Sequence, residues 1–161
     1  MRPCRLAGRE AGFNIIELMI VVFIVGVLAA IAAPNMGKMV RTQRIKTGAF
    51  DVFASLTLAR SEAVKRNSVV TLTPVSGDWA KGWVIRDANN NVVKEQGELS
   101  SVTVVGPASV SYATNGRLPA GTPAPQFDLS TANVNANSLR CVRVDTSGRP
   151  TSRECACATV C

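Results

Sequence analysis

The sequence predicts an α+β fold, with one long N-terminal α-helix packed on an antiparallel β-sheet head domain. Three observations predict it. An apolar run, FNIIELMIVVFIVGVLAAIAA, fills residues 13–33. Helical periodicity continues from there to about residue 66. Beyond that point the chain breaks into short apolar stretches separated by Gly, Pro, Asn and Ser. A length of 161 residues suits one soluble domain on a helical anchor.

The apolar run comes first. About 20 apolar residues make a membrane-span candidate. This run carries one carboxylate, Glu17, and an acid inside a span costs roughly 2.5–3.5 kcal/mol, so it needs a reason to be there. Pro34 and Gly37 follow. Proline lacks the backbone donor and clashes with the preceding turn, so a kink or local melting is expected there. The pattern then becomes amphipathic, with Ala49, Phe53, Leu56, Ala59, Ala63 and Val64 forming a stripe that could pack on a sheet. Basic residues flank the run on both sides, Arg2, Arg5 and Arg9 before it and Lys38, Arg41, Arg44 and Lys46 after it. Charge bias alone therefore does not orient it. At 1.5 Å per residue the whole helix would be about 80 Å long, a length hard to explain in a solitary protein.

Asn67 ends the helix, and strands are expected at 69–72, 82–86, 92–95, 102–105, 110–112, 126–129 and 139–145. Residues 88–91 (Ala-Asn-Asn-Asn), Asn115-Gly116 and Ser147-Gly148 read as turns. The stretches 118–125 and 131–137 read as exposed loops. The organisation expected is a leader at 1–12, an apolar half-helix at 13–33, an amphipathic half at 34–66 and a β-rich head at 67–161.

Composition narrows the chemistry. The formal charge is +7, and loss of Arg2, Arg5, Arg9 and Glu10 with the leader would leave +5. Such a surplus fits an anionic partner or simple solubility. There is no histidine, which removes the commonest general base and metal ligand together. Acids such as Asp78, Asp87, Glu95, Glu98, Asp128 and Asp145 are scattered over the head, and no Gly-rich phosphate loop appears. Neither an enzyme nor a cofactor is expected.

Cys4 lies in the leader, and Cys141, Cys155, Cys157 and Cys161 remain, an even number suited to an oxidising compartment. A bridge between Cys155 and Cys157 would be strained. The favoured pairing is Cys141–Cys155 with Cys157–Cys161, and Cys141–Cys157 with Cys155–Cys161 stays open beside it. The spacing C-x₁₃-C-x-C-x₃-C is not a usual zinc arrangement.

The N-terminal residues resemble the class III signal of type IV prepilins and pseudopilins. Gly12 matches the last leader residue, Phe13 the mature N-terminus and Glu17 the acid at the fifth mature position, and Pro34 falls where the family often has proline. Asn14 stands where Thr or Ser is usual. The resemblance implies cleavage after Gly12 by a prepilin peptidase and N-methylation of Phe13. It also implies pairing of Glu17 with the N-terminal amine of a neighbouring subunit during assembly.

A second resemblance lies in LARSEAVKRNSVVTLTPVSGDWAKGWVIRDANNN, residues 58–91. Arg60, Ser61, Glu62, Ala63, Asn67, Trp79, Gly82 and Trp83 match the A-R-S-E-A helix end and W-x-x-G-W turn of the H-type pseudopilins and FimT/FimU minor pilins, and YATNGRL resembles their later strand-turn. The implied function is a minor pilin of a type IV pilus or its tip-priming complex, supporting assembly, adhesion or twitching. Its implied partners are other major and minor pilins and the inner-membrane assembly platform. Its implied place is the inner membrane, with the head in the periplasm, and the extracellular pilus after assembly. A type II secretion H pseudopilin is one alternative and an anchored periplasmic enzyme a remote one.

A DNA-binding minor pilin for natural transformation is a further alternative. FimT-type pilins carry a G-R-x-R element, which Gly148-Arg149-Pro150-Thr151-Ser152-Arg153 resembles with the second arginine displaced by two. Arg149 and Arg153, with Arg140 and Arg143 around Cys141, could grip phosphates. The bland reading of the same residues is a solvated turn. Trp79 and Trp83 are expected as core or rim residues, with base stacking the less favoured role.

Overall fold

The structure, a computed structural model, describes residues 13–132, 139–154 and 157, with residues 31–36 described by their backbone alone. It divides into two compact units at Gly37/Lys38.

One helix, α1 (Ile15–Arg66), runs through both units. Asn14 caps it, because its carbonyl accepts from the Glu17 and Leu18 amides at 3.0 and 3.2 Å. Its side-chain oxygen also receives the Ile16 amide at 3.4 Å. Asparagine is among the best residues for this position. The helical backbone continues through Pro34 and Gly37, so the local melting expected there is not seen. In the first unit every described side chain from residue 13 to 30 is exposed.

In the second unit α1 supplies one face of the core. Ile45, Ala49, Val52, Leu56, Ala59 and Ala63 are buried at helical spacing. Two members of the stripe expected from sequence lie on its flank, where Phe53 is half-buried and Val64 exposed. The helix closes at Asn67, whose positive φ of 47° bends the chain away while the Ser68 amide bonds back to the Ala63 carbonyl. Arg66 fixes this end by donating to Glu62 at 2.6 Å and to Asp87 at 3.2 Å.

Among the described residues eight strands follow: β1 (Val70–Val75), β2 (Asp78–Asp87), β3 (Val92–Gln96), β4 (Thr103–Val105), β5 (Val110–Tyr112), β6 (Gln126–Ser130), β7 (Arg140–Val144) and β8 (Pro150–Arg153). They form two antiparallel sheets, ordered β3-β2-β1-β5 and β4-β6-β7-β8. The first turns Val70, Leu72, Trp83, Ile85, Val110 and Tyr112 inward, and the second Val104, Phe127, Leu129, Val142 and Val144. Burying each large side chain contributes about 1.5–3 kcal/mol.

The W-x-x-G-W segment is not a turn between strands, as expected, but part of β2. The β1–β2 register jumps from Val75↔Asp78 to Pro74↔Trp83, so residues 79–82 bulge out of the ladder. Gly82 makes the bulge possible. Its φ is +100°, and a Cβ there would lie 2.1 Å from the Gln96 carbonyl oxygen. Trp79 swings across to the second sheet, donates Nε1–H to the Pro107 carbonyl at 2.7 Å, and meets Phe127 edge to face. Both tryptophans are buried, which rules out the base-stacking role.

Candidate functional site

Two regions carry the residues singled out from sequence. The first is the start of α1. Gly12 lies outside the described residues. Phe13 is 82% exposed, and Glu17 sits in the first turn, where the positive end of the helix dipole favours an acid. The aliphatic side chains around Glu17 face outward on every side of the helix. Such a surface exceeds what a solitary soluble protein exposes. Among the described residues no helix is long and apolar enough to cross a membrane. The described side chains of the run stop at residue 30.

The second region is the β7–β8 hairpin. The stretch expected as a basic hairpin tip includes strand β8, and its turn is Asp145 to Arg149. Asp145 organises that turn. Its carboxylate accepts from Ser147 Oγ–H at 2.6 Å and from the Arg149 amide at 3.0 Å. These bonds, the hydroxyl's first, hold the carboxyl below its usual range. Gly148 has a φ of +82°, and a Cβ there would strike the Gly116 carbonyl at 2.2 Å, so this turn packs directly on the 113–117 turn. Arg60 on α1 donates to the same carbonyl at 2.9 Å.

The register distributes the four arginines unequally. Cys141 faces Arg153 and Arg143 faces Thr151, and opposed residues share a face of the pleat. Continuing that pairing places Arg149 opposite Asp145 on the same outer face. Arg143, Arg149 and Arg153 are therefore brought together, and all three are exposed. Arg140 is not. It lies on the opposite face, 16% exposed, and its guanidinium pairs with Glu154. Being three apart in a strand, Arg140 and Arg143 necessarily diverge. Arg143 has its own anchor in Gln126, whose side-chain oxygen accepts from Nη2 and Nε at 2.5 and 3.1 Å with the amide turned toward it. Gln126 and Glu154 escaped the sequence reading because only the strand register brings them to the arginines.

The cysteines correct the favoured pairing. The bridge joins Cys141 to Cys157, with Cα atoms 5.0 Å apart, and not Cys141 to Cys155. The reason is the seat of Cys157 on the second sheet, where its amide bonds to the carboxylate of Asp128, the residue opposite Cys141. Cys155 and Cys161 lie outside the described residues, so the second bridge of either pairing falls there too. Asp128, Cys141 and Cys157 are close enough to resemble a metal cluster, but both sulfurs are used by the disulfide.

A helix with an apolar, outward-facing N-terminal half, whose second half packs against antiparallel sheets, defines a pilin-like subunit. The family model described as Type II transport protein GspH matches residues 49–148, more than half of the chain, and the chain belongs to that family. In structure it is similar to the type IV minor pilin FimU of Pseudomonas aeruginosa. The TM-score is 0.60 at 21% identity, over 69% of this chain and 89% of that one. A second crystal form of FimU gives 0.58 at 22% identity, over 67% and 91%. At these identities the likeness shows a shared fold. In sequence the chain is 63% identical over 35 residues to the Type IV major pilin protein PilA of Myxococcus xanthus, covering 22% of this chain. The match spans only 16% of that relative's length.

Proposed function

We propose that the chain is a minor pilin of a type IV pilus, inserted by its apolar half-helix into the pilus or a tip-priming complex. The observation that carries this reading is the exposure of every described side chain from 13 to 30. A helix apolar on all sides needs lipid or other helices around it. In this reading a prepilin peptidase cuts after Gly12, Phe13 is methylated, and residues 13–33 hold the precursor in the inner membrane. Glu17 then meets the N-terminal amine of a neighbouring subunit, because an acid in hydrocarbon needs a cation. The assembly platform carries the subunit outward with its partner pilins, and its role is structural, with no catalysis of its own.

Mass spectrometry of the chain recovered from membranes tests the processing. Methylated Phe13 as the first residue is expected, and an intact leader or cleavage elsewhere overturns it. Recovery in sheared pili supports the pilus. Recovery only with a type II secretion machine would favour the H-pseudopilin alternative.

A second reading, DNA contact during uptake, is favoured by one observation. Arg143, Arg149 and Arg153 share an exposed face, where they could grip successive phosphates without reading sequence.

A further inference from the structure

A cavity of about 400 Å³ opens at the end of the head where α1 closes, between the 113–117 turn, the loop after it and Thr146 of the β7–β8 turn. Its place follows from the packing of Gly116, where a Cβ would meet Val64 and Arg60 of the helix at 2.8 and 3.2 Å. The volume lies in the range of about 300–1,000 Å³ usual for small-molecule sites. Three turns build its walls. The Ala113 amide donates to the Arg117 carbonyl at 2.9 Å, the Thr122 amide to the Pro119 carbonyl at 3.2 Å, and the Asp145 amide to the Arg149 carbonyl at 3.1 Å. Gly148 and the Arg60 guanidinium both close on the Gly116 carbonyl, which ties the first turn to the third and to α1. The cavity is thus formed before any ligand arrives, and little ordering is left to oppose binding.

Among the described residues its lining offers donors and no carboxylate. Arg117 is exposed and makes no ion pair among those residues. Asn115 accepts the Arg117 amide through Oδ1 at 3.0 Å, which leaves its N–H₂ group for a ligand. Thr122 and Thr146 add two exposed hydroxyls. Asp145, beside Thr146, already has its carboxylate bonded to the Ser147 hydroxyl and the Arg149 amide. Leu118 and Pro119 supply an apolar wall between these groups. One guanidinium balances one negative charge, and its planar fork suits a carboxylate. A phosphate is polar on every side and would leave the apolar wall unused.

We infer that this cavity is a binding site for an acidic sugar, a ring that carries hydroxyls and one carboxylate. The carboxylate meets the Arg117 guanidinium, and the ring hydroxyls meet Asn115, Thr122 and Thr146. The C–H face of the ring lies on Leu118 and Pro119. The inference goes beyond the reading of the chain as a filament subunit and does not rest on it. It gives the head a ligand of its own, in a place that Arg143 and Arg153 do not line.

NMR titration of the full-length chain, in a detergent without sugar headgroups, tests the site with D-glucuronate as the probe. Glucuronate should bind, and glucose, which lacks the carboxylate, should bind about tenfold more weakly or worse. Acetate and inorganic phosphate, which offer charge without the ring, should also fall about tenfold or more below it. Arg117→Gln should weaken glucuronate binding about tenfold or more, and Thr146→Val about two- to tenfold. Lys81→Gln, which removes a charge outside the cavity, should change nothing. The four probes compared on the wild-type chain decide the question even if Arg117→Gln does not fold. Glucose, acetate or phosphate binding as tightly as glucuronate overturns the inference, and so does a folded Arg117→Gln with unchanged affinity. Absence of glucuronate binding at about 10 mM does the same. An equal loss from Lys81→Gln would show attraction to charge alone and would also overturn it.

Discussion

Trp79 meets Phe127 edge to face, with ring centroids 4.8 Å apart and planes at 89°. This pair joins the two sheets. Trp79 leaves its own ladder through the bulge in β2, while Phe127 stands at the centre of the second sheet, fully buried. Gly106 completes the contact, because a Cβ there would fall 2.6 Å from the Phe127 ring. The W-x-x-G-W motif is therefore a device for uniting the head.

Replacing Trp79 measures that device. Trp79→Phe keeps an aromatic ring but loses the bond to the Pro107 carbonyl, and should cost about 1 kcal/mol. Trp79→Ala should cost about 3–5 kcal/mol, enough to unfold a marginal domain. Denaturant titration should separate the two variants clearly. Equal small losses would show that the sheets do not depend on this contact.

The turn that presents Arg149 should weaken in acid. Asp145 is held below its ordinary value of 3.8 by the Ser147 hydroxyl and the Arg149 amide. Its contribution to stability is therefore complete above that value and is lost as pH falls through the lower folded value. The stability difference between wild type and Asp145→Asn should be greatest near neutrality and should shrink below pH 3.8. Thermal melts across the acid range give the comparison. A difference that grows in acid would reverse the sign.

The disulfide has a direct check. Cys141 and Cys157 are 16 residues apart, and closing a loop of that size stabilises by about 3 kcal/mol. Cys157→Ser should lose about that amount, while Cys155→Ser should leave Cys141 bridged. Peptide mapping without reduction should recover Cys141 joined to Cys157. Recovery of Cys141 with Cys155 would refute the bridge described here.

Binding to DNA should divide the arginines by face. Arg149→Ala and Arg153→Ala should each weaken binding by the full-length chain in detergent and lower the salt slope by about 1. Arg140→Ala, which removes an arginine already paired on the other face, should leave binding unchanged. An equal loss from Arg140→Ala, or no binding by the parent at low salt, would end the DNA reading.

Much of this fold was legible because its signals are local. The apolar run, the helix end at Asn67 and the turns at 88–91, Asn115-Gly116 and Ser147-Gly148 each depend on neighbouring residues. What escaped depends on contacts distant in sequence. Strand β8 is short, begins with proline and has no buried residue, so its identity comes from pairing with β7. The β2 bulge looks like a turn because Gly82 is required either way, and only Gln96 on the neighbouring strand reveals the reason. Cys157 is held beside Cys141 by a bond from its amide to Asp128, a residue 29 positions away in sequence. The divergence of Arg140 and Arg143 could have been read directly, since residues three apart in a strand point to opposite faces.

In the proposed function, the apolar half-helix and Glu17 place this chain in a filament. The most direct measurement compares sheared pili from cells expressing wild type and Glu17→Gln at equal membrane levels, with quantification by mass spectrometry. Wild type is expected in the sheared fraction, and the variant is expected to stay in the membrane and be at least tenfold depleted from the pili, a factor equivalent to about 1.4 kcal/mol. Equal incorporation of Glu17→Gln would show that this acid does not direct assembly.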